Sequence, residues 1–138
     1  MASNAVEQQK YGLSRTVDVP FDTAVERVTA ALAAEGFGVL TAIRMDEKLK
    51  EKLGIDFRKY VILGACNPPL AYKALQQDIN IGLLLPCNVI VYESDEPGTC
   101  VVSAVDARAM MSVVGEGPEI QQVSTEVNDR LAKALASI

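Results

Sequence analysis

The stretch from Tyr60 to Tyr92 constrains the fold more than any other part of the chain, because it holds the two most apolar runs. Each run carries a cysteine-asparagine pair beside a proline, as Cys66-Asn67-Pro68 in the first and Pro86-Cys87-Asn88 in the second. Runs that are apolar on both faces predict strands in the middle of a sheet. Polar and conformationally special residues within such strands indicate a bulge or a site. We therefore look for a functional site near these two motifs.

The rest of the chain follows strand patterns and helix patterns in turn. Alternation of apolar and polar residues predicts strands over residues 10–19 and 37–44, although Arg15 is a charged exception on the apolar side of the first. Apolar runs predict further strands over residues 60–66 and 81–92. A turn at Glu96-Pro97-Gly98 then predicts a hairpin whose second strand covers residues 99–105.

Apolar residues at helical spacing predict two long helices, one from Phe21 to Gly36 and one that begins at Pro118. Short helices are predicted over residues 46–53 and 68–77. We therefore predict a single α+β domain over residues 10–138, preceded by a disordered polar lead over residues 1–9. Its two layers would have the order β-α-β4-α, with an antiparallel sheet that carries both long helices on one face.

The composition excludes several classes of function. The net charge is −5 and Lys and Arg form no cluster, so binding to nucleic acid or to anionic membranes is not expected. The N-terminus lacks the apolar core of a secretory signal, and no apolar run approaches the ~20 residues of a membrane helix. We therefore expect a cytoplasmic protein whose three cysteines are reduced.

The chain contains no histidine. This excludes Ser-His and Cys-His nucleophilic catalysis and the zinc sites that contain histidine. It also removes the side chain best suited to proton transfer near neutral pH. The glycines match no phosphate-binding or dinucleotide-binding pattern, so no cofactor is predicted. These absences favour a function other than catalysis.

Several motifs of the chain resemble one known family. Gly36-Phe37 follows the first helix, Cys66-Asn67-Pro68 follows the central strand, and residues 82–93 contain the specific run Leu-Leu-Pro-Cys-Asn. Together with Asp78 they resemble the domain of unknown function 302 family, over nearly the whole chain. The resemblance implies a fold similar to the TATA-box-binding-protein-like class, usually as a homodimer, and it implies no established activity or cofactor. One departure is Ala107, where family members often carry proline.

Six residues are candidates for contact with a ligand: Cys66, Asn67, Asp78, Pro86, Cys87 and Asn88. The two cysteines in this set are either a thiol pair, redox-active or suited to a soft ion such as Cu(I), or small buried apolar residues. Burial is the favoured interpretation, and it predicts a raised thiol pKa for Cys87 on the odd-numbered apolar face of residues 81–91.

The polar candidates have simpler structural interpretations. Asn67, before a proline, is predicted to cap a helix. Asn88 is predicted to bond main-chain groups freed by an irregularity at Pro86-Cys87, or else a ligand. Asp78 lies in a predicted turn, where a solvated role is expected.

These patterns favour a homodimeric ligand-binding or interaction module, with a small-molecule ligand of unidentified chemistry. The alternative is a thiol-dependent redox or soft-metal-handling protein that uses Cys66 and Cys87. Both faces of the strand over residues 81–92 are apolar. One helix layer covers only one face, so this surface predicts a twofold dimer.

Overall fold

A computed structural model describes residues 5–115 and 117–138 of the chain. Its strands are β1 (Glu7–Gln8), β2 (Gly12–Val17), β3 (Gly38–Arg44), β4 (Tyr60–Cys66), β5 (Cys87–Glu93) and β6 (Cys100–Val105). They form one sheet in the order β1-β2-β6-β5-β4-β3, in which all neighbours are antiparallel. The α-helices are α1 (Phe21–Ala34), α2 (Met45–Leu53), α3 (Pro68–Gln77), α4 (Ala107–Met111) and α5 (Pro118–Ala136).

The two long helices, α1 and α5, contact each other and pack on the same face of the sheet. Between them and the sheet lies the core, whose fully buried members include Leu32 of α1, Leu131 of α5 and Val89 of β5. Removal of such side chains from water supplies most of the favourable free energy of folding. The predicted α+β architecture is therefore confirmed. We call the helix-packed side the covered face and the other side the open face.

The N-terminal lead corrects one prediction. Residues 1–9 were expected to be disordered, but Glu7 and Gln8 pair with Ser14 and Leu13 as the edge strand β1. The main-chain amide of Gln9 donates to the carbonyl of Gly12 at 2.7 Å, which closes the turn between β1 and β2. Main-chain pairing does not require an apolar side chain, so a polar pattern cannot reveal it. The part of the prediction that concerns residues 1–4 lies outside the described residues.

The strand predicted over residues 81–92 is also corrected, because β5 begins only at Cys87. Residues Ile79–Leu84 form a 3₁₀ helix instead, and the Leu85–Pro86 peptide bond is cis. Leu83 was expected on the buried face but is 87% exposed. A short apolar run fits a strand and a helical turn equally well, and Pro86 has no N–H for a strand ladder. The predicted irregularity at Pro86-Cys87 is confirmed.

Arg15, the charged exception on the apolar side of β2, has a definite role. Its Nη1 atom donates to the carbonyl oxygens of Leu135 and Ala136, each at 2.8 Å. The last carbonyls of a helix lack hydrogen-bond partners within that helix. A cation close to them also interacts favourably with the negative end of the helix dipole. Arg15 therefore fastens the end of α5 to the sheet.

Asp106 joins three elements through its carboxylate. It caps α4 by accepting from the amides of Arg108 and Ala109, and it also accepts from Asn128 of α5 and Gln8 of β1. Burial alone would raise the pKa of Asp106, but these hydrogen bonds outweigh it and lower the pKa. The amide of Ala107, which a proline would lack, donates to Asn128 Oδ1 at 2.7 Å. The main-chain amide of Ala107 thus completes this network.

Candidate functional site

The open face of the sheet is apolar across three neighbouring strands. Ile43, Ile62 and Ile90 are register partners on β3, β4 and β5, so they form a row that we call the isoleucine row. On β6 and β2 the same row continues as Ser103 and Ser14. The open face therefore changes from aliphatic to polar between β5 and β6.

A groove of about 600 Å³ lies over the β2, β6 and β5 part of this face. Ile90, Val101 and Val105 give it an apolar floor, with polar groups from Asn88 and Ser103. Its rim is the turn over residues 9–11, whose Tyr11 is 75% exposed. Known small-molecule sites have volumes of about 300–1,000 Å³ and combine apolar walls with a few polar groups. The groove matches that description in both size and lining.

An aromatic stack forms one wall of the groove. The rings of Tyr60 and Tyr92 are nearly parallel, with an interplanar angle of 9° and centroids 5.4 Å apart. Phe57 extends the row, with its centroid 6.2 Å from that of Tyr60. Burial, followed by the neighbouring Tyr92 and Tyr11 hydroxyls, raises the pKa of Tyr60. Tyr92 lines the groove, and Tyr60 stacks on its ring from the β4 side.

Four of the predicted site residues meet elsewhere, around a cavity inside the covered face. Cys66, Asn67, Pro86 and Cys87 line it together with apolar side chains of α3, α4 and α5. They come together because Ala65 is the register partner of Cys87, which brings the ends of β4 and β5 side by side. The cavity holds about 30 Å³. A space of that size admits about one or two water molecules, which is too small for an organic ligand.

Asn67 has the structural role that its position before a proline predicts. Its Oδ1 atom accepts from the amide of Leu70 at 3.3 Å, which caps α3, and only 6% of the residue is exposed. A Cβ atom at Gly36, which has a φ of 85°, would lie 2.9 Å from Asn67 Nδ2. Asn67 thus also fills the space that the glycine after α1 leaves free.

The two thiols do not form an activated pair. Burial, with a smaller contribution from Cys66, raises the pKa of Cys87 to about 11, which confirms the predicted direction. Both thiols line the inner cavity and are free of disulfides, and Cys66 raises the pKa of Cys87 further instead of lowering it. Within residues 5–115 and 117–138, no group of three His, Cys, Asp or Glu residues is arranged to hold a metal ion.

We expect Cys87 to react slowly with iodoacetamide in the folded protein. With a pKa of about 11, the thiolate fraction at pH 8 is about a hundredfold below that of an ordinary cysteine, and its burial slows attack further. The rate should keep rising with pH above 9, because the thiol loses its proton only there. Peptide mapping by mass spectrometry follows each cysteine, with urea-unfolded protein as the control. Modification of Cys87 at neutral pH as fast as in the unfolded chain would contradict this expectation.

The remaining two candidates lie apart from the cavity and from each other. Asp78 caps the 3₁₀ helix, where its Oδ1 atom accepts from the amide of Asn80 at 2.9 Å. Asn88 was expected to bond the main chain near Pro86, but its side chain makes no hydrogen bond in the described part of the chain. It is exposed at the groove, because β5 starts at Cys87 and its second residue therefore points to the open face.

Sequence reasoning missed the groove residues Tyr11, Tyr92 and Ser103. The one visible signal of Tyr92 and Ser103 was their place on the alternate positions of strands, opposite the buried residues, whereas Tyr11 lay on the apolar side of its predicted strand with Leu13. That signal marks an open face, but the groove also requires the turn over residues 9–11 to rise beside it.

Among the described residues, no helix is long and apolar enough to span a membrane.

Comparison with known proteins places the chain in a family. The model of a domain of unknown function, DUF302, matches residues 13–138. The crystal structure of an uncharacterized conserved DUF302 protein from Bacillus stearothermophilus is similar, with a TM-score of 0.84 and 30% sequence identity over 94% of this chain and 100% of that one. No curated protein matches the chain. The resemblance seen in the sequence motifs is thus confirmed, and the chain belongs to the DUF302 family.

Proposed function

We propose that this protein is a homodimeric cytoplasmic module that binds a small molecule, and that the open face of its sheet is the binding surface. The observation that carries the proposal is the division of this face. Its β3–β4–β5 half bears the isoleucine row, and its β5–β6–β2 half bears the groove. The two halves suit different occupants, because the isoleucine row is aliphatic and the groove combines apolar walls with polar groups.

The groove is the better of the two cavities for a ligand. Its volume of about 600 Å³ exceeds that of the inner cavity, about 30 Å³. Asn88 supplies an amide that has no protein partner in the described residues, and Ser103 supplies a hydroxyl. Few fixed polar groups on an apolar floor are typical of sites that orient a small organic molecule.

The isoleucine row is suited to a second copy of the chain. Ile43 is 44% exposed, and the row continues towards Phe57 and Tyr60, so the apolar surface is contiguous. Contiguous exposed apolar patches mark interaction sites in soluble proteins. A twofold pairing would bring the row of one chain against the row of the other and remove both from water.

Replacing Ile62 with glutamate should abolish this pairing. A carboxylate in the middle of the row would face its own copy across the twofold axis, where desolvation and like-charge repulsion both oppose association. Sedimentation velocity at micromolar concentration should show a dimer for the wild type and a monomer for Ile62→Glu. Leu83→Glu, on the exposed 3₁₀ helix, is the matched control and should remain dimeric. A monomeric wild type at that concentration would contradict the proposal.

The thiol-dependent alternative has less support. It requires Cys66 and Cys87 to act together through a thiolate, but burial and the neighbouring Cys66 both raise the pKa of Cys87. The charge of the chain, −5, likewise gives no support to binding of nucleic acid or of anionic membranes.

A further inference from the structure

The geometry of the groove points to a planar aromatic carboxylate as its ligand, an inference that rests on the proposed small-molecule function. Three features of the lining carry it. Tyr92 offers an aromatic ring, Lys10 offers a positive charge, and Asn88 with Ser103 offers hydrogen bonds.

The aromatic part follows from the stack on β4 and β5. Tyr60 stacks on the Tyr92 ring, so the plane of this lining residue is supported before any ligand arrives. Offset stacking on a ring that is held in place favours the binding of a flat aromatic molecule. The floor residues Val101 and Val105 are aliphatic, so they offer an apolar surface against which the edge of such a ring can pack.

The negative charge follows from the electrostatics of the lining. Lys10 is the single charged residue among the described residues that line the groove. It forms no ion pair within the described part of the chain. In a protein with a net charge of −5, a groove without carboxylates and with one lysine favours an anion. Lys10 stands on the rim, so the carboxylate would lie at the mouth and the ring would lie inside.

The test compares three probes in amide proton–nitrogen correlation spectra of the full chain: naphthoate, naphthamide and the saturated decalin carboxylate. Naphthoate should shift the amides of Asn88, Ser103 and Val105. Its dissociation constant should be about threefold lower than that of the uncharged amide. The dissociation constant of naphthoate should also be about fivefold lower than that of the saturated acid, which cannot stack.

Two variants assign these differences to residues. Tyr92→Leu should remove the preference for naphthoate over the saturated acid, and Lys10→Gln should remove its preference over the amide. Tyr72→Leu and Lys73→Gln change the same residue types on the exposed side of α3 and should leave both preferences unchanged.

The outcomes separate this inference from the function on which it rests. Equal shifts of the groove amides by all three probes would overturn the aromatic carboxylate and leave the groove standing as a ligand site. No shift at the groove by any probe, up to the solubility limit, would overturn both.

Discussion

Replacing Gly64 with alanine is expected to destabilise the protein by about 2–3 kcal/mol. Gly64 lies in the middle of β4, paired with Thr41 on one side and Asn88 on the other. A Cβ atom at this position would collide with Oγ1 of Thr41 and lie 2.9 Å from Cγ of Pro86. A proline ring has no rotamer by which to move aside, so the strands themselves would have to shift.

Urea unfolding followed by circular dichroism measures this loss, and Gly38→Ala is the matched control. Gly38 belongs to the neighbouring strand β3, but a Cβ atom there would meet nothing within 4 Å. Its substitution should change the free energy of unfolding by no more than about 0.5 kcal/mol. Adding Thr41→Ala to Gly64→Ala should restore part of the stability, because it removes one of the two obstacles. Equal stability of the two glycine variants would show that the packing over Gly64 is loose.

Replacing Arg15 with methionine should destabilise the protein by about 2 kcal/mol. Methionine retains most of the apolar stem, but the two hydrogen bonds to the carbonyls of Leu135 and Ala136 are lost. The Nε atom of Arg15 is itself buried without a partner among the described residues, which offsets part of that loss. The effect should concentrate at the end of α5, because Arg15 donates to carbonyls of its last turn, where partners within the helix run out.

Hydrogen exchange of individual amides shows which part of the protein loses stability, whereas a measurement of global stability does not. Faster exchange should appear over the last turn of α5 in Arg15→Met, while α1 exchanges as in the wild type. Arg27→Met, on the exposed side of α1, is the matched control and should alter neither. If Arg15→Met left the exchange of α5 unchanged, Arg15 would not be its anchor.

The residues of the covered face could be predicted from the sequence, because buried positions are occupied by apolar residues at regular spacing. In β4, Val61, Leu63 and Ala65 point inwards, and each is nearly inaccessible to solvent. The segment before Pro86 could not be predicted in the same way, because Ile81 is buried in a 3₁₀ helix as fully as it would be in a strand. Periodicity over a few residues does not separate these two structures.

The candidate site was predicted only in part. The proximity of the Cys66-Asn67 and Pro86-Cys87 motifs follows from the register of β4 and β5, which could not be predicted from the sequence. The groove depends on register, which sets Ser103 beside Ile90 and Ser14 beside Ser103. A shift of two residues would keep the same side chains on the open face but give them different neighbours, and alternation alone does not decide between these registers.

The two edges of the sheet determine how the protein can associate without forming aggregates. An exposed edge strand is a template on which further chains can add without limit. Here β1 offers only two residues, and the register of β3 shifts between Val39 and Thr41, which interrupts its ladder. A bulge twists an edge away from straight pairing. Growth from strand to strand is thus disfavoured at both ends, and the twofold contact that we propose for the open face would close after two copies. High concentrations of the protein should therefore yield discrete particles and no fibrils.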